Sequence, residues 1–324
     1  MALQEVVFDA ATIRLERIFD QTEELGYRDR GFPCGKVQEV YGPLLFGAKP
    51  EGRPLTYASY VMSIDGKIAF EDDETGPLIA KKNLLDPAGA FADFWVLNML
   101  RGYCDGIIIG AGTLIKEPEY SGSAYDRDII DARLAAGKPI APWTVIVTRS
   151  GRNIPFENPV FQCPEIPVLV ATSPAGYGPL TEELDRPHVL LPAAGTRKDR
   201  EEIVRLIREN PGSIMVSVTG EHTGPDAAGL MEVLDAMGMD RVLVESPAYC
   251  HHLMEKDLLD EIFINTSGVF VGGQATGIGS SARSFASTDH PHCDMVSIHV
   301  HRRNFLYTRY RFSHGTGRPV PAGK

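Results

Sequence analysis

The stretch from Asp105 to Thr113, DGIIIGAGT, indicates the type of sheet that this chain builds. Three isoleucines in a row, with no polar residue between them, are typical of a strand covered on both faces. Gly110 and Gly112 then allow the backbone to come close to a ligand, and the hydroxyl of Thr113 suits a phosphate or a ribose. The pattern is shorter than a full dinucleotide-binding fingerprint, so by itself it is a weak sign of a nucleotide site.

Apolar runs of the same kind recur on both sides of this stretch. They lie at residues 55–62, 106–109, 144–147, 168–171, 189–191, 214–218, 242–244 and 262–264. Between them, residues 90–100 and 225–237 have apolar side chains at helical spacing, and the second segment has Pro225 at its start and Gly238 after its end. This alternation predicts a largely parallel sheet with helices on both faces.

The end of the chain has a different pattern. Apolar and polar residues alternate at 296–301, and residues 304–312 form a second run rich in aromatic residues and arginine. These two runs predict an antiparallel strand pair at the edge of the sheet. The predicted fold class is therefore α/β: three α/β/α layers, with a mostly parallel central sheet and an antiparallel C-terminal strand pair.

The first 54 residues are predicted to be a helical and irregular extension. Leu15, Ile18, Phe19, Thr22 and Leu25 have helical spacing, and Gly26 is placed to end that helix. Frequent glycine and proline between residues 31 and 54 predict irregular structure. We therefore divide the chain into an extension at 1–54, a main domain at 55–312 and a disordered tail at 313–324.

The composition argues against several classes of protein. A formal net charge of −11 disfavours nonspecific binding to nucleic acid or to an anionic membrane. The five cysteines are far apart and form no C-x-x-C pair, which is typical of a reduced protein without a disulfide framework. The start of the chain has no signal-peptide pattern, and no apolar run approaches the roughly 20 residues of a membrane span. We expect a cytoplasmic protein that acts on a small molecule, with neither nucleic acid nor a membrane as partner.

Polar residues follow several predicted strands at their carboxyl ends, where open α/β sheets place ligands. Asp65-Gly66 follows the strand at 55–62, and a turn is the favoured interpretation of this pair. Thr148, Arg149 and Ser150 follow the strand at 144–147. Two hydroxyls and a guanidinium suit the 2′-phosphate of NADPH, and an exposed turn explains them equally well.

Two further polar positions have both a structural and a functional interpretation. Ser246 is a natural N-cap and Pro247 a natural first residue of a helix, which we predict to run through residues 258–261. A helix start behind a buried strand can bind an anion, and a purely structural cap is the alternative. Arg101, at the end of the predicted helix 90–100, is on the residues alone a solvated cation.

The ordered set of motifs resembles a known family. It consists of SIDGKIA at 63–69, LR at 100–101, DGIIIGAGT at 105–113, VTRSG at 147–151, VLVE at 242–245, LLDE at 258–261 and VGG at 271–273. In this order and spacing, the motifs resemble the reductase (C-terminal) domain of the riboflavin-biosynthesis deaminase-reductase family, in the dihydrofolate-reductase-like superfamily. The resemblance covers roughly residues 55–312. It implies a dihydrofolate-reductase-like fold and an NADPH-dependent reductase similar to 5-amino-6-(5-phosphoribosylamino)uracil reductase, with hydride transfer to a pyrimidine- or pterin-like molecule.

The resemblance also implies roles for individual residues. Arg101 would contact the phosphate of the substrate, and Glu245 its polar ring or ribose. The residues implied to bind NADPH come from four segments and are Met62, Thr113, Glu117, Thr148, Ser150, Ser246, Pro247, Ala248 and Tyr249. No catalytic residue is assigned. The family habit and an exposed C-terminal strand edge together imply a homodimer.

The sequence departs from the family pattern at several places. Glu245-Ser246-Pro247-Ala248 stands where the family usually has Glu-Gly-Gly-Pro, so that Pro247 removes a backbone donor, and Glu117 stands where Asp is usual. Residues 119–122 lack an arginine that usually helps to hold the substrate phosphate, and residues 76–79 replace a typical Ser and Trp. The sequence contains no H-x-E followed by P-C-x-x-C, the zinc motif of the deaminase half. Two alternatives stay open: a non-catalytic or repurposed relative that binds a ligand or partner, and dihydrofolate reductase activity.

Histidines and a cysteine concentrate near the end of the chain. His290, His292, Cys293, His299 and His301 are of types that suit zinc. His299 and His301 alternate with apolar residues, however, so we expect them on the solvated face of a strand, with no metal site. His251 and His252, in the helix after Ser246, are expected at the surface or an interface.

Overall fold

The backbone of the computed structural model forms eleven helices and eleven strands in the residues that it describes, which are 3–222, 224–279, 283–302 and 304–313. In chain order these elements are α1 (Ala10–Ile13), β1 (Glu16–Asp20), α2 (Gly35–Val40), β2 (Leu55–Ser63), α3 (Leu78–Lys81), α4 (Pro87–Tyr103), β3 (Gly106–Gly110), α5 (Ala111–Lys116), α6 (Arg127–Ala135), β4 (Trp143–Val147), α7 (Pro159–Gln162), β5 (Val168–Thr172), α8 (Pro174–Glu183), β6 (His188–Leu191), α9 (Arg197–Glu209), β7 (Ile214–Val218), α10 (Ala227–Ala236), β8 (Arg241–Val244), α11 (Pro247–Glu255), β9 (Glu261–Ser267), β10 (Cys293–His301) and β11 (Phe305–Phe312). The predicted tail, apart from Ser313, lies outside the described residues.

All described strands join one sheet, in the order β1-β10-β11-β9-β2-β8-β3-β4-β5-β7-β6. The pairings from β9 across to β6 are parallel. The pairings of β9 with β11, β11 with β10 and β10 with β1 are antiparallel. The predicted fold class is therefore confirmed, and the eight predicted strands of the main domain are all present.

Helices cover both faces of the sheet, because neighbouring strand residues point to opposite sides. Ile107 and Ile109 on β3 pack on one face, Ile107 against α4 and its neighbours and Ile109 against residues around α5, α7 and α8. Ile108 packs on the other face, in the cluster that contains α10 and α11. Helix α4 begins at an N-cap, since the Asp86 carboxylate accepts a hydrogen bond from the Gly89 N–H at 2.9 Å.

The helix predicted at residues 15–25 is wrong. Residues Glu16–Asp20 form the edge strand β1, antiparallel to β10, with Glu16 opposite Val300 and Asp20 opposite Ser297. Without β1, the edge of β10 would leave a row of backbone N–H and C=O groups without hydrogen-bond partners. The hydrogen bonds that β1 forms with these groups stabilise a strand more than the helical spacing of apolar residues stabilises a helix. The exposed C-terminal strand edge from which a homodimer was predicted, that of β10, is thus paired with β1 of the same chain. Helix α2 also lies in the segment predicted to be irregular.

The prediction that His299 and His301 lie on a solvated face is wrong. Both are buried, because the N-terminal extension covers the polar side of β10. His301 Nδ1 lies 2.7 Å from Asp86 Oδ2, and its Nε2 lies 2.9 Å from the carbonyl oxygen of Thr12 in α1. The His299 ring stacks on Tyr41. Burial and the nearby Arg17 guanidinium lower the pKa of His299 to about 3, so that this ring is neutral.

His290, His292 and Cys293 are exposed, in contrast to these two rings. Within the described part of the chain, no three His, Cys, Asp or Glu side chains are grouped so as to hold a metal ion. Nor does any helix there have the length and apolar character needed to cross a membrane.

Candidate active site

A cavity of about 330 Å³ lies beside the carboxyl ends of β2, β3 and β8. Open parallel sheets place their ligands at this edge, and the volume is at the lower end of the range for small-molecule sites. Five residues predicted to bind cofactor or substrate line it together, although they come from α4, from α5 and the residue after it, and from the connection between β8 and α11 with the first residue of α11: Arg101, Thr113, Glu117, Glu245 and Pro247.

One face of helix α4 forms a wall of this cavity. Ala90, Asp93, Leu97 and Arg101 are spaced three or four residues apart, so they lie in one row along the helix, and all four line the cavity. Asp93 and Arg101 are eight residues apart, which corresponds to roughly 12 Å along a helix axis. The wall therefore has the polar side chains of Asp93 and Arg101 one toward each end, with the apolar Leu97 between them.

Arg101 and Glu245 form a buried, two-point ion pair at one end of the cavity. Arg101 Nε donates to Glu245 Oε1 and Arg101 Nη2 donates to Oε2, both at 2.7 Å. The guanidinium also lies 5.0 Å from the centre of the Tyr120 ring. Burial acts to lower the pKa of Arg101, but the Glu245 carboxylate outweighs it and holds this pKa well above its ordinary value. Arg101 is thus not the solvated cation that its position at a helix end suggests.

Helix α5 begins directly after β3 and brings Thr113 and Glu117 to the same end of the cavity. Burial, together with the nearby Glu245 carboxylate, raises the pKa of Glu117, while Arg101 and Lys81 oppose that rise. Lys116 lies beside them and forms an ion pair with Glu74. Two carboxylates and paired cations therefore surround this end of the cavity.

Helix α11 starts as predicted but ends earlier. Ser246 is its N-cap, with the hydroxyl accepting a hydrogen bond from the Tyr249 N–H at 3.4 Å, and Pro247 is its first residue. The helix ends at Glu255, and Asp257 has a positive φ of 54°, a conformation that ends a helical path. The predicted continuation through 258–261 is wrong, since Glu261 already belongs to β9.

The start of α11 offers few backbone donors to an anion. Pro247 has no N–H, the Tyr249 N–H is directed to Ser246, and the Cys250 N–H donates to the Ser246 carbonyl at 2.8 Å. This leaves the N–H of Ala248, an exposed residue, as the first-turn donor without an acceptor among the described residues. Tyr249 is buried in the core behind the sheet and does not line the cavity.

Three other predicted cofactor residues lie outside the cavity. Met62 packs in the core on the opposite face of the sheet from its neighbour Val61, which lines the cavity. Thr148 and Ser150 close the turn after β4: the Thr148 hydroxyl accepts from the Gly151 N–H at 3.1 Å and the Ser150 hydroxyl from the Arg152 N–H at 3.3 Å. Arg149, between them, is exposed and forms no ion pair with the described residues. This turn therefore presents a free guanidinium at the same edge of the sheet.

The Asp65-Gly66 pair is a turn, as predicted, and Gly66 has a φ of +80°. Asp65 accepts hydrogen bonds from the Ser63 hydroxyl at 2.6 Å and from the N–H groups of Val271 and Gly272 at 3.0 and 2.7 Å. These hydrogen bonds lower the pKa of Asp65 to about 2. The SIDGKIA and VGG motifs thus form one loop junction, with a structural role for Asp65.

His251 is buried, although it was predicted at the surface or an interface, whereas His252 is partly exposed. Nε2 of His251 lies 3.0 Å from the Arg283 carbonyl oxygen, and its ring lies 4.9 Å from that of Phe285. The segment before β10 folds over α11 and covers this side chain, a long-range contact that helical spacing does not reveal.

A second polar pair in the cavity, Asp93 and Asn265, was not predicted from the sequence. Asn265 Nδ2 donates to Asp93 Oδ1 at 2.8 Å, and both side chains line the end opposite Arg101. Burial raises the pKa of Asp93 to about 7, although the hydrogen bond from Asn265 acts to lower it. The signal was an acidic residue in the otherwise apolar row of the predicted helix 90–100.

A family model described as the RibD C-terminal domain matches residues 54–300, about three quarters of the chain. The chain belongs to this family. A search of curated proteins found no significant match.

Solved structures of RibD-like proteins have the same fold. A pyrimidine reductase-like protein from Corynebacterium diphtheriae is 20% identical, with a TM-score of 0.55 over 86% of this chain and 98% of that one. The Thermotoga maritima diaminohydroxyphosphoribosylaminopyrimidine deaminase/5-amino-6-(5-phosphoribosylamino)uracil reductase is 18% identical, with a TM-score of 0.51 over 85% of this chain. RibD from Acinetobacter baumannii is 15% identical, with a TM-score of 0.51 over 82% of this chain. This chain covers 59% of the length of each of these last two proteins.

Proposed function

We propose that the protein is an NADPH-dependent reductase of a pyrimidine- or pterin-like heterocycle, of the type that riboflavin biosynthesis uses. The observation that carries this proposal is the cavity itself. Membership of the RibD C-terminal domain family supports a reductase, and five of the eleven residues that the family resemblance assigns to cofactor and substrate line one cavity, although they come from separate segments of the chain.

The residues present fit a phosphorylated dinucleotide at the carboxyl edge of the sheet. Thr113 and Glu117 lie at the cavity end nearest Pro247, and an added Cβ at Gly112 would meet no atom within 4 Å, so the backbone there is open to a ligand. The unpaired Arg149 is suited to the 2′-phosphate, which favours NADPH over NADH. Ala248 N–H is available for the diphosphate at the start of α11. When bound, NADPH supplies the hydride.

The protein's own groups would orient the substrate and exclude water. The apolar side chains of Val61, Phe94 and Leu97 form the middle of the cavity and suit a planar ring. The buried Arg101–Glu245 pair fixes the polar end, since each group holds the other in place at two points. In such reactions the protein contributes position and electrostatics more than covalent chemistry.

The test is a calorimetric titration of the purified protein with NADPH and with NADH. We expect micromolar binding of NADPH and weaker binding of NADH. Thr113→Val removes one hydroxyl next to a charged ligand and should weaken NADPH binding by roughly 1.5–3 kcal/mol. Thr181→Val, on the exposed side of α8, is the matched control and should leave binding unchanged.

Failure of either nucleotide to bind would contradict the reductase proposal. It would favour instead a relative of the same fold that binds a ligand or partner without catalysis, since Pro247 already removes one anion-binding donor. If the protein oxidises NADPH in the presence of dihydrofolate, and none of the pyrimidines assayed supports that oxidation, the result would favour dihydrofolate reductase activity, the other alternative.

A further inference from the structure

Asp86 and His301 form a buried pair at the start of helix α4, and neither residue lines the cavity. His301 is the last residue of β10, and Asp86 is the N-cap of α4. Both are almost fully buried, and His301 Nδ1 lies 2.7 Å from Asp86 Oδ2. The other carboxylate oxygen, Asp86 Oδ1, accepts the hydrogen bond from the Gly89 N–H, so both oxygens of Asp86 have a partner.

The partners of the His301 ring favour its doubly protonated form. Nδ1 faces a carboxylate oxygen, and Nε2 lies 2.9 Å from the carbonyl oxygen of Thr12, which can only accept a hydrogen bond. A neutral ring has one N–H and one lone pair, whereas the imidazolium has an N–H for each oxygen. Among the described residues, His301 is also the only basic side chain within ion-pair distance of Asp86. Since a buried carboxylate requires a partner of opposite charge, the burial of Asp86 favours the same form.

The first turn of α4 is attached to three other parts of the chain through this pair and its neighbours. Thr12 belongs to α1 in the N-terminal extension, and His301 belongs to β10. From β11, the Tyr307 hydroxyl donates to the Gly89 carbonyl oxygen at 2.9 Å. An added Cβ at Gly89 would lie 2.6 Å from the Asp86 carboxylate, so the helix start packs closely against the pair.

The extension also packs against the helix that forms the cavity wall. The Phe8 ring stacks on Phe91 with 4.6 Å between ring centres, and its centre lies 5.7 Å from that of Phe94. Phe94 lines the cavity, as do Ala90 and Asp93 in the first two turns of α4. A shift of the start of α4 would therefore move three side chains that line the cavity.

We propose that Asp86 and His301 are positioning residues of the cavity: as a carboxylate–imidazolium pair, they hold the N-terminal extension and β10 against the start of α4 and so fix the side of that helix that faces the ligand. This inference rests on the proposed reductase function only for its effect on NADPH. The charge of the pair and the order of α4 can be measured without any ligand.

The first experiment observes the histidine ring nitrogens by ¹⁵N NMR at neutral pH, in the full chain labelled with ¹⁵N-histidine. His301→Gln identifies the signals of His301 by their loss. We expect two protonated ring nitrogens for His301 in the wild-type protein. In Asp86→Asn, the new amide can donate to Nδ1 while its oxygen still caps α4, so His301 should become neutral, with hydrogen on Nε2 alone. A single protonated nitrogen in the wild-type protein would overturn the inference.

The second experiment measures hydrogen exchange of α4 by mass spectrometry. Asp86→Ala removes both the cap and the partner of His301, and we expect the amides of residues 89–94 to exchange about tenfold faster. Asp86→Asn keeps both hydrogen bonds and should change this exchange by less than about twofold. Asp226→Ala is the matched control, because the exposed Asp226 is the N-cap of another helix, α10, and its loss should leave α4 unchanged.

The third experiment tests the effect of the pair on the cavity by calorimetric titration with NADPH. Asp86→Ala should bind NADPH about threefold more weakly than the wild-type protein or worse, because displaced groups lose binding geometry. Asp86→Asn should bind NADPH within about twofold of the wild-type affinity. If Asp86→Ala does not fold, His301→Gln takes its place in the second and third experiments, since it removes the N–H that faces Asp86 and keeps the cap.

Three further outcomes would overturn the inference. They are exchange of α4 that Asp86→Ala leaves unchanged, exchange in Asp86→Asn as fast as in Asp86→Ala, and NADPH binding to Asp86→Ala as tight as to the wild-type protein. Failure of the reductase proposal gives a different result, in which no form of the protein binds NADPH. The NMR and exchange measurements then still decide whether the pair is charged and holds α4 in place.

Discussion

Arg101 and Glu245 are 144 residues apart in the chain and nevertheless form a buried ion pair at the cavity wall. Removing one partner of such a pair leaves an unpaired buried charge, which typically costs about 3–5 kcal/mol. We expect Glu245→Met to lower the free energy of unfolding by this amount, measured by urea denaturation. The double variant Arg101→Met/Glu245→Met removes both charges and should lose much less.

The control for this prediction is the exposed pair of Glu202 and Arg205 on α9. Glu202→Met should cost less than about 1 kcal/mol, because exposed ion pairs contribute little. An equal loss in Glu245→Met and Glu202→Met would show that the cavity pair is not the buried, coupled interaction described above.

Single residues were the hardest to predict from the sequence. Arg101 looked like a solvated cation because nothing near it in the chain identifies Glu245 as its partner. Asp93 could have been singled out as a charge in an apolar helical row, but Asn265, which completes the pair, is 172 residues away. Roles that depend on such distant partners require the fold.

At the scale of elements, the start of α11 determines how many backbone donors can face an anion. Pro247→Ala restores one N–H at the first helical position without the flexibility of glycine. If the diphosphate of NADPH lies there, the affinity for NADPH should rise several-fold, since one hydrogen bond to a charged group is worth up to about 1.5–3 kcal/mol.

Pro87, exposed at the first position of α4, provides the matched control for this substitution. Pro87→Ala changes a helix start of the same kind away from the proposed diphosphate position, so NADPH affinity should be unchanged. A rise in both variants would point to a general effect on the fold, and a rise in neither would place the diphosphate elsewhere.

The elements of the parallel sheet were predictable because each buried strand carries its own signal, a continuous apolar run. Strand β1, whose residues were wrongly predicted to be helical, contains no continuous apolar run. Its residues alternate in exposure along an edge, and the same residues also satisfy a helical spacing. These residues form a strand and not a helix because β10 offers them an edge to pair with, and β10 comes from near the other end of the chain.

At the scale of the whole molecule, the N-terminal extension belongs to the same core as α4 and the sheet. Ile13 in α1 is fully buried in that core, whereas Ile18 in β1 is 56% exposed. Ile13→Ala should lower the free energy of unfolding by about 2–5 kcal/mol, and Ile18→Ala by less than about 1 kcal/mol. Urea denaturation measures both, and an equally small effect of the two changes would mean that the extension is only loosely attached.

The pairing of β1 with β10 also sets an order of events during synthesis of the chain. Arg17 and His299, which meet across this pairing, are 282 residues apart. At 5–20 residues per second, a ribosome needs roughly 14–56 s to make the residues between them. Throughout that time β1 has no neighbouring strand, so the first strand to be synthesised is among the last to be incorporated into the sheet.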